Sequence, residues 1–209
     1  MADYYGTSNQ SSQYNLYTGS NTKVCQSFTG NAGILKSIQV LMKLVGTLPA
    51  LSAVNASLYL HSGTYGTSSV PGTYLFTFDD TLYANAFSTS FALKQFNYSA
   101  GYTLSEGTKY VLVISIGYTG DSSNYAAIGA DNTSPSHSGN AGYFTGSWVA
   151  DNTQDLCFYA NTPGAGSAEV IFSYTQSSDD VAMIMASFKE SAPPAYITPH
   201  GGRRILVGG

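Results

Sequence analysis

From residue 22 to about residue 188, short apolar and aromatic runs alternate with clusters of Gly, Asn, Asp and Ser. That rhythm marks many short strands joined by turns. The runs predict strands near 22–29, 33–45, 54–62, 72–79, 89–98, 109–117, 124–130, 141–149, 154–161, 168–175 and 181–189. Period-two alternation is clearest where Ile34, Ser37 and Gln39 oppose Leu35, Ile38 and Val40, and again from Ala53 to Leu60. Lys109–Ile116 reads KYVLVISI, apolar on both faces, which predicts a central strand. The nearest approach to a helical pattern is Asp180–Lys189, but its length and the preceding Ser-Ser-Asp-Asp predict a closing strand. The expected fold class is all-β: a jelly-roll-like antiparallel β-sandwich of about ten strands.

Outside this stretch the pattern lapses. Residues 1–21 are polar and studded with Tyr, without helical period, and read as an extended N-terminal arm. The sandwich is expected to span residues 22–190, with Thr162–Ser167 (TPGAGS) as a turn before its last strand pair. Pro193, Pro194, Pro199, Gly201 and Gly202 make residues 191–209 a Pro/Gly-rich tail ending in Arg-Arg-Ile-Leu-Val. Two such arms point to contacts between copies, in which an extended segment of one chain lies on the next or adds a strand to it. The residues expected to carry those contacts are Tyr4, Tyr5, Tyr14 and Tyr17, with Tyr196, Ile197, Ile205, Leu206 and Val207.

Composition sharpens this picture. Charged residues are only 10% of the 209-residue chain, against 43% hydrophobic and 13% aromatic, where an ordinary soluble domain has roughly 25% charged. The surface must therefore be polar through Ser, Thr, Asn, Gln and Gly, with little charge to hold copies apart. The net charge is −4, and the only arginines are Arg203 and Arg204. No basic face can be drawn on the body, which argues against a nucleic-acid partner. No run is apolar for long enough to be a membrane-spanning helix. Met1-Ala2-Asp3-Tyr4-Tyr5 has neither a basic start nor an apolar stretch, so no secretory signal is read. The expectation is a mature surface protein or a component released by lysis, as a virion protein is.

Candidate chemistry is sparse. His61, His137 and His200 stand in no metal-binding pattern, and no nucleophile elbow, P-loop or dinucleotide fingerprint is present. The few carboxylates read as turn residues: Glu106 before a central strand, and the pairs Asp79-Asp80 and Asp179-Asp180. The sequence thus predicts no enzyme and no cofactor. Between residues 118 and 155 the loops are rich in Asp, Asn and Ser around His137. Asp121, Asp131 and Asp151 are the candidate ligands there for a calcium ion, or equally the makers of Asx turns. Tyr65, Tyr118, Tyr125, Tyr143 and Trp148 lie in or beside Gly/Ser loops, where flat rings stack on sugars if they are exposed, or pair across strands if they are not. Cys25 and Cys157 both fall in strand-like segments, either as two buried small residues or as a disulfide joining an early strand to a late one.

Several segments together carry a resemblance. They are Cys25–Asn31 (CQSFTGN), His61–Ser69 (HSGTYGTSS), Gly107–Tyr110, Asp121–Tyr125, Ser134–Ala141 (SPSHSGNA), Gly146–Trp148 and Asp155–Tyr159. Over roughly residues 22–161 the chain resembles the choice-of-anchor type of β-sandwich domain, found in bacterial surface proteins and in phage and metagenomic virion-like proteins. The resemblance implies a setting and supplies no active site. The sequence-based expectation is a non-enzymatic structural subunit of a virion or extracellular fibre that meets copies of itself. The alternative is a carbohydrate-binding adhesion module whose partners are surface glycans.

Overall fold

The structure is a computed structural model. It describes residues 3–161, together with the backbone of two short strands further along the chain. The strands are β1 (Asp3–Tyr5), β2 (Ser12–Leu16), β3 (Lys23–Thr29), β4 (Ile34–Val45), β5 (Ala53–Ser62), β6 (Val70–Tyr83), β7 (Ala92–Thr103), β8 (Lys109–Ile116), β9 (Tyr125–Asp131), β10 (Ala141–Phe144), β11 (Trp148–Asp151), β12 (Asp155–Leu156) and β13 (Phe158–Asn161). Further on lie β14 (Ile171–Ser173) and β15 (Met185–Ser187). Residues 1–162 and 163–209 form separate compact units.

The first unit is an all-β sandwich of two antiparallel sheets. One has six strands in the order β11-β10-β3-β8-β5-β6. The other has seven: β1-β13-β4-β9-β12, with β2 on β9 and β7 on β4. Most connections cross from one sheet to the other, the habit of jelly-roll folds. Alternation of side chains explains the layers. Val24 and Phe28 on β3, Leu112 and Ile114 on β8, Ile38 and Val40 on β4 and Phe158 on β13 all face one continuous core. Lys109–Ile116 is the central strand its sequence predicts, paired with β3 on one side and β5 on the other.

The seven-stranded sheet splits. β9 pairs with β4 from Tyr125 to Ile128, and then the two strands part. The segment 155–161 fills the gap: β12 pairs with β9, and β13 pairs with β4. Cys157 is the pivot, donating its N–H to the Gly129 carbonyl and accepting from the Leu41 N–H. β1 then adds to the free side of β13.

Several expectations need correction. Residues 3–16 are not a free arm. β1 and β2 are strands of the sandwich, and Tyr5, Tyr14 and Leu16 belong to its core. Each exchanges an ordering cost for burial, worth roughly 1.5–3 kcal/mol for a full apolar side chain. Asp79 and Asp80 are not in a turn but inside β6, which runs well past the expected boundary. Among the described residues the last strand of the sandwich is β13, ending at Asn161; the expected last strand pair exists as β14 and β15, bonded to each other in the second unit. Tyr196, Ile197, Ile205, Leu206 and Val207, like His200, lie outside the described residues.

Candidate functional site

Where the sheet splits, a buried polar knot ties four parts of the chain together. His137, in the loop between β9 and β10, has a 4% exposed side chain, and its Nε2 stands 3.1 Å from Asp3 Oδ1 on β1. The pair is close but not aligned as a hydrogen bond, so the contact is electrostatic. Nδ1 accepts from the Gly139 N–H at 3.0 Å and faces Gln26 Nε2 at 3.2 Å, which assigns the ring proton to Nε2. Gln26, on β3 and wholly buried, also donates to Asp155 Oδ1 at 3.1 Å and accepts the Leu156 N–H at 2.8 Å. Asp155 Oδ2 takes the His137 N–H at 3.0 Å. The loop presses hard on β3: a Cβ on Gly139 would lie 1.9 Å from the Ser27 carbonyl oxygen, so only glycine fits.

A second centre adjoins the first. Asp131, at the end of β9, accepts from the Tyr5 hydroxyl and the Ser11 hydroxyl, each at 2.7 Å, and from the Thr133 N–H at 2.8 Å. These donors, Tyr5 foremost, hold its carboxyl down at about 2 against the opposing effect of burial. At Asp3 burial pulls the carboxyl upward, but His137 and the N–H groups of Thr29 and Tyr4 outweigh it and leave it below its ordinary value. At Asp155 burial wins over the His137 N–H and the Gln26 amide, and the carboxyl is raised. Nδ1 of the imidazole is hydrogen-bonded, and Nε2 faces the Asp3 carboxylate without a hydrogen bond. The knot fastens β1, β3, β12 and the β9–β10 loop to one another.

The candidate calcium ligands do not converge. Asp121 and Asp131 flank opposite ends of β9. Asp121 closes its own turn on the Ser123 N–H and the Asn124 amide, and Asp151 accepts from the Tyr14 hydroxyl and from Thr153. The Asx-turn reading describes Asp121 and Asp151. Among the described residues no group of three or more His, Cys, Asp or Glu is set to hold a metal ion.

The loop aromatics are spent inside the fold. Tyr118 donates to the Leu16 carbonyl and accepts the Ala126 N–H. Tyr125 is buried against Tyr17, and Tyr143 packs on the core beside Tyr14. Tyr65 bonds Thr29 and Ser138 beneath the Lys109 ammonium. Trp148 covers Cys25, Val111 and Val113 on the outer side of the six-stranded sheet. Cys25 and Cys157 are free and buried, the first of the two readings their sequence allowed, and no disulfide joins them. Cys25 packs in that outer cluster, while Cys157 lies between core-facing Leu156 and Phe158 and is itself wholly buried.

The sequence did not foresee how the charges are used. Asp79 accepts the Ser99 N–H at 2.6 Å, and Asp80 accepts both the N–H and the side-chain amide of Asn97, at 2.8 and 2.7 Å. Both carboxylates thereby cap amides of β7, an edge strand. Lys23, Lys43, Lys94 and Lys109 lie over the rings of Phe144, Phe91, Phe87 and Tyr65, and Lys36 donates to the Ser99 carbonyl. Glu106 stands in a turn. The signal for the Asp79-Asp80 role was the alternation of Phe76–Asp79, which continues the strand into the acidic pair.

No protein-family model matches this chain, and no curated protein does.

Proposed function

We propose that the chain is a non-enzymatic structural subunit that forms or decorates a virion or extracellular fibre by packing against copies of itself. The observation that carries this reading is the internal use of charge. Aspartates and lysines of the sandwich are turned onto the protein's own amides, hydroxyls and rings, as the contacts of Asp79, Asp80, Asp131, Lys23 and Lys109 illustrate. What faces outward is poor in charge and rich in amides, hydroxyls, aromatic rings and apolar side chains, including Tyr4, Tyr74, Leu93 and Val149. Such a surface has little electrostatic repulsion between copies. The resemblance to choice-of-anchor domains supports an outward-facing setting. Because residues 3–16 are built into the sandwich, the contacts fall to its faces and to the segment beyond residue 162, whose sequence ends in the apolar Ile205, Leu206 and Val207.

The test is light scattering behind size-exclusion chromatography, with negative-stain microscopy, at low and at high salt. Large regular oligomers or filaments that persist in high salt are expected, since neutral contacts are not screened. A monomer at every concentration, or assemblies that dissolve in salt, would overturn the reading.

A further inference from the structure

The outer face of the seven-stranded sheet carries an ordered row. Tyr4 on β1 pairs with Tyr159 on β13, Tyr159 with Gln39 on β4, and Gln39 with Gln95 on β7. Four adjacent strands thus present one residue each at the same level. Their neighbours Tyr5, Phe158, Ile38 and Phe96 face the core, so alternation turns the whole row outward. Tyr4 and Tyr159 are stacked, with centroids 5.6 Å apart and planes within 4°. Tyr4 is 56% exposed, leaving its other ring face uncovered.

The amides beside the rings are fixed in orientation. Gln39 Nε2 donates to Gln95 Oε1 at 3.0 Å, Gln95 Nε2 donates to Asn97 Oδ1 at 2.6 Å, and Asn97 Nδ2 donates to Asp80 Oδ2 at 2.7 Å. The carboxylate can only accept, so it sets the direction of the whole relay. After these bonds each amide retains one N–H and at least one carbonyl lone pair. A donor and an acceptor held side by side, repeated at the strand spacing of about 4.8 Å, match a run of hydroxyl groups, each of which both donates and accepts.

We propose that this row, Tyr4–Tyr159–Gln39–Gln95 with Asn97, is a binding site for an uncharged polysaccharide lying across the strands. The exposed tyrosine face takes the C–H face of a sugar ring, and the oriented amides take its hydroxyls. The row spans about 14 Å at that strand spacing, the reach of a short run of sugars. Its members carry no cation, and the relay ends on the Asp80 carboxylate, so anionic polymers are disfavoured. A strand of another chain is a poorer match, because the row crosses the sheet rather than offering an edge ladder. This goes beyond the structural reading and moves any glycan contact from the loops, whose rings are internally engaged, to the sheet face.

The experiment is native affinity electrophoresis of the full chain in gels containing hydroxyethyl cellulose, dextran or carboxymethyl cellulose. Retardation by at least one uncharged polymer is expected, with little or none by the carboxylated one. The double variant Tyr4→Ala/Gln95→Ala, both at exposed positions, should weaken it at least tenfold while its thermal unfolding stays close to that of the parent. Tyr74→Ala, on the other sheet, should leave it unchanged. Absence of retardation by both uncharged polymers, or equal retardation of parent and double variant, overturns the proposal. So does a double variant that changes only the oligomer size seen by light scattering, which would give the row to a second copy. Assembly is read separately from retardation, so the two proposals fail independently.

Discussion

The Tyr5 hydroxyl, on β1, donates to Asp131 Oδ2 at 2.7 Å across 126 residues of sequence. Both residues are buried, at 6% and 4% exposure. Tyr5→Phe keeps the ring and removes the donor, which leaves a buried carboxylate short of a partner and costs about 1–3 kcal/mol. The pH dependence follows from the same bond. Asp131 has a folded value of about 2, below its ordinary 3.8. Its contribution is therefore complete above about pH 4 and is lost as the pH falls towards 2. Asp155, raised by burial, works in the opposite sense: its ionised form is the costly one, and protonation relieves it as the pH drops towards its unfolded value. Urea unfolding of the parent should show a steep loss of stability below pH 4, and Asp131→Asn should flatten that limb. An unchanged slope in Asp131→Asn would refute the assignment.

Asp79 and Asp80 close an edge that would otherwise be open. With the N–H groups of Ser99 and Asn97 taken, that stretch of β7 offers no free donors to a neighbouring chain, the usual defence of an edge strand. The double variant Asp79→Ala/Asp80→Ala should raise the self-association constant several-fold and increase β-aggregation on standing. Glu106→Ala, in a turn, is the control for lost charge. Sedimentation velocity distinguishes them. If the glutamate variant and its partner associate equally, repulsion rather than capping is responsible.

Burial pushes the Cys25 thiol well above its ordinary value, and burial aided by the Asp131 and Asp155 carboxylates pushes Cys157 to about 12. Thiolate is the reactive form, so the native chain should react with Ellman's reagent far more slowly than the same chain in guanidinium. Both thiols should then appear, and the chain should run identically on gels with and without reductant. A mobility shift on reduction, or a missing thiol, would mean that the two sulfurs meet after all.

How much was readable beforehand depended on whether the information was local. The sandwich class was legible, because Ala53–Leu60 and Lys109–Ile116 write their periodicity and burial into neighbouring residues. The N-terminal segment misled because β1 is only three residues long and its Asp-Tyr-Tyr looks like any polar arm. Tyr14 and Leu16 did alternate, and that brief signal marked β2. The loop around His137 was recognisable as polar, but not as a knot. Its partners Asp3, Gln26 and Asp155 are scattered along the chain.

The sequence by itself determined the all-β class, the central strand and the low share of charged residues. These follow from residue type and period, which need no knowledge of neighbours in space. Tertiary structure alone decided that Tyr5 meets Asp131, that Asp79 and Asp80 cap β7, that the two cysteines stay unpaired, and that Tyr4, Tyr159, Gln39 and Gln95 line up across four strands. Register and sheet order set those distances. They arise from the best burial of the whole apolar set rather than from any one segment.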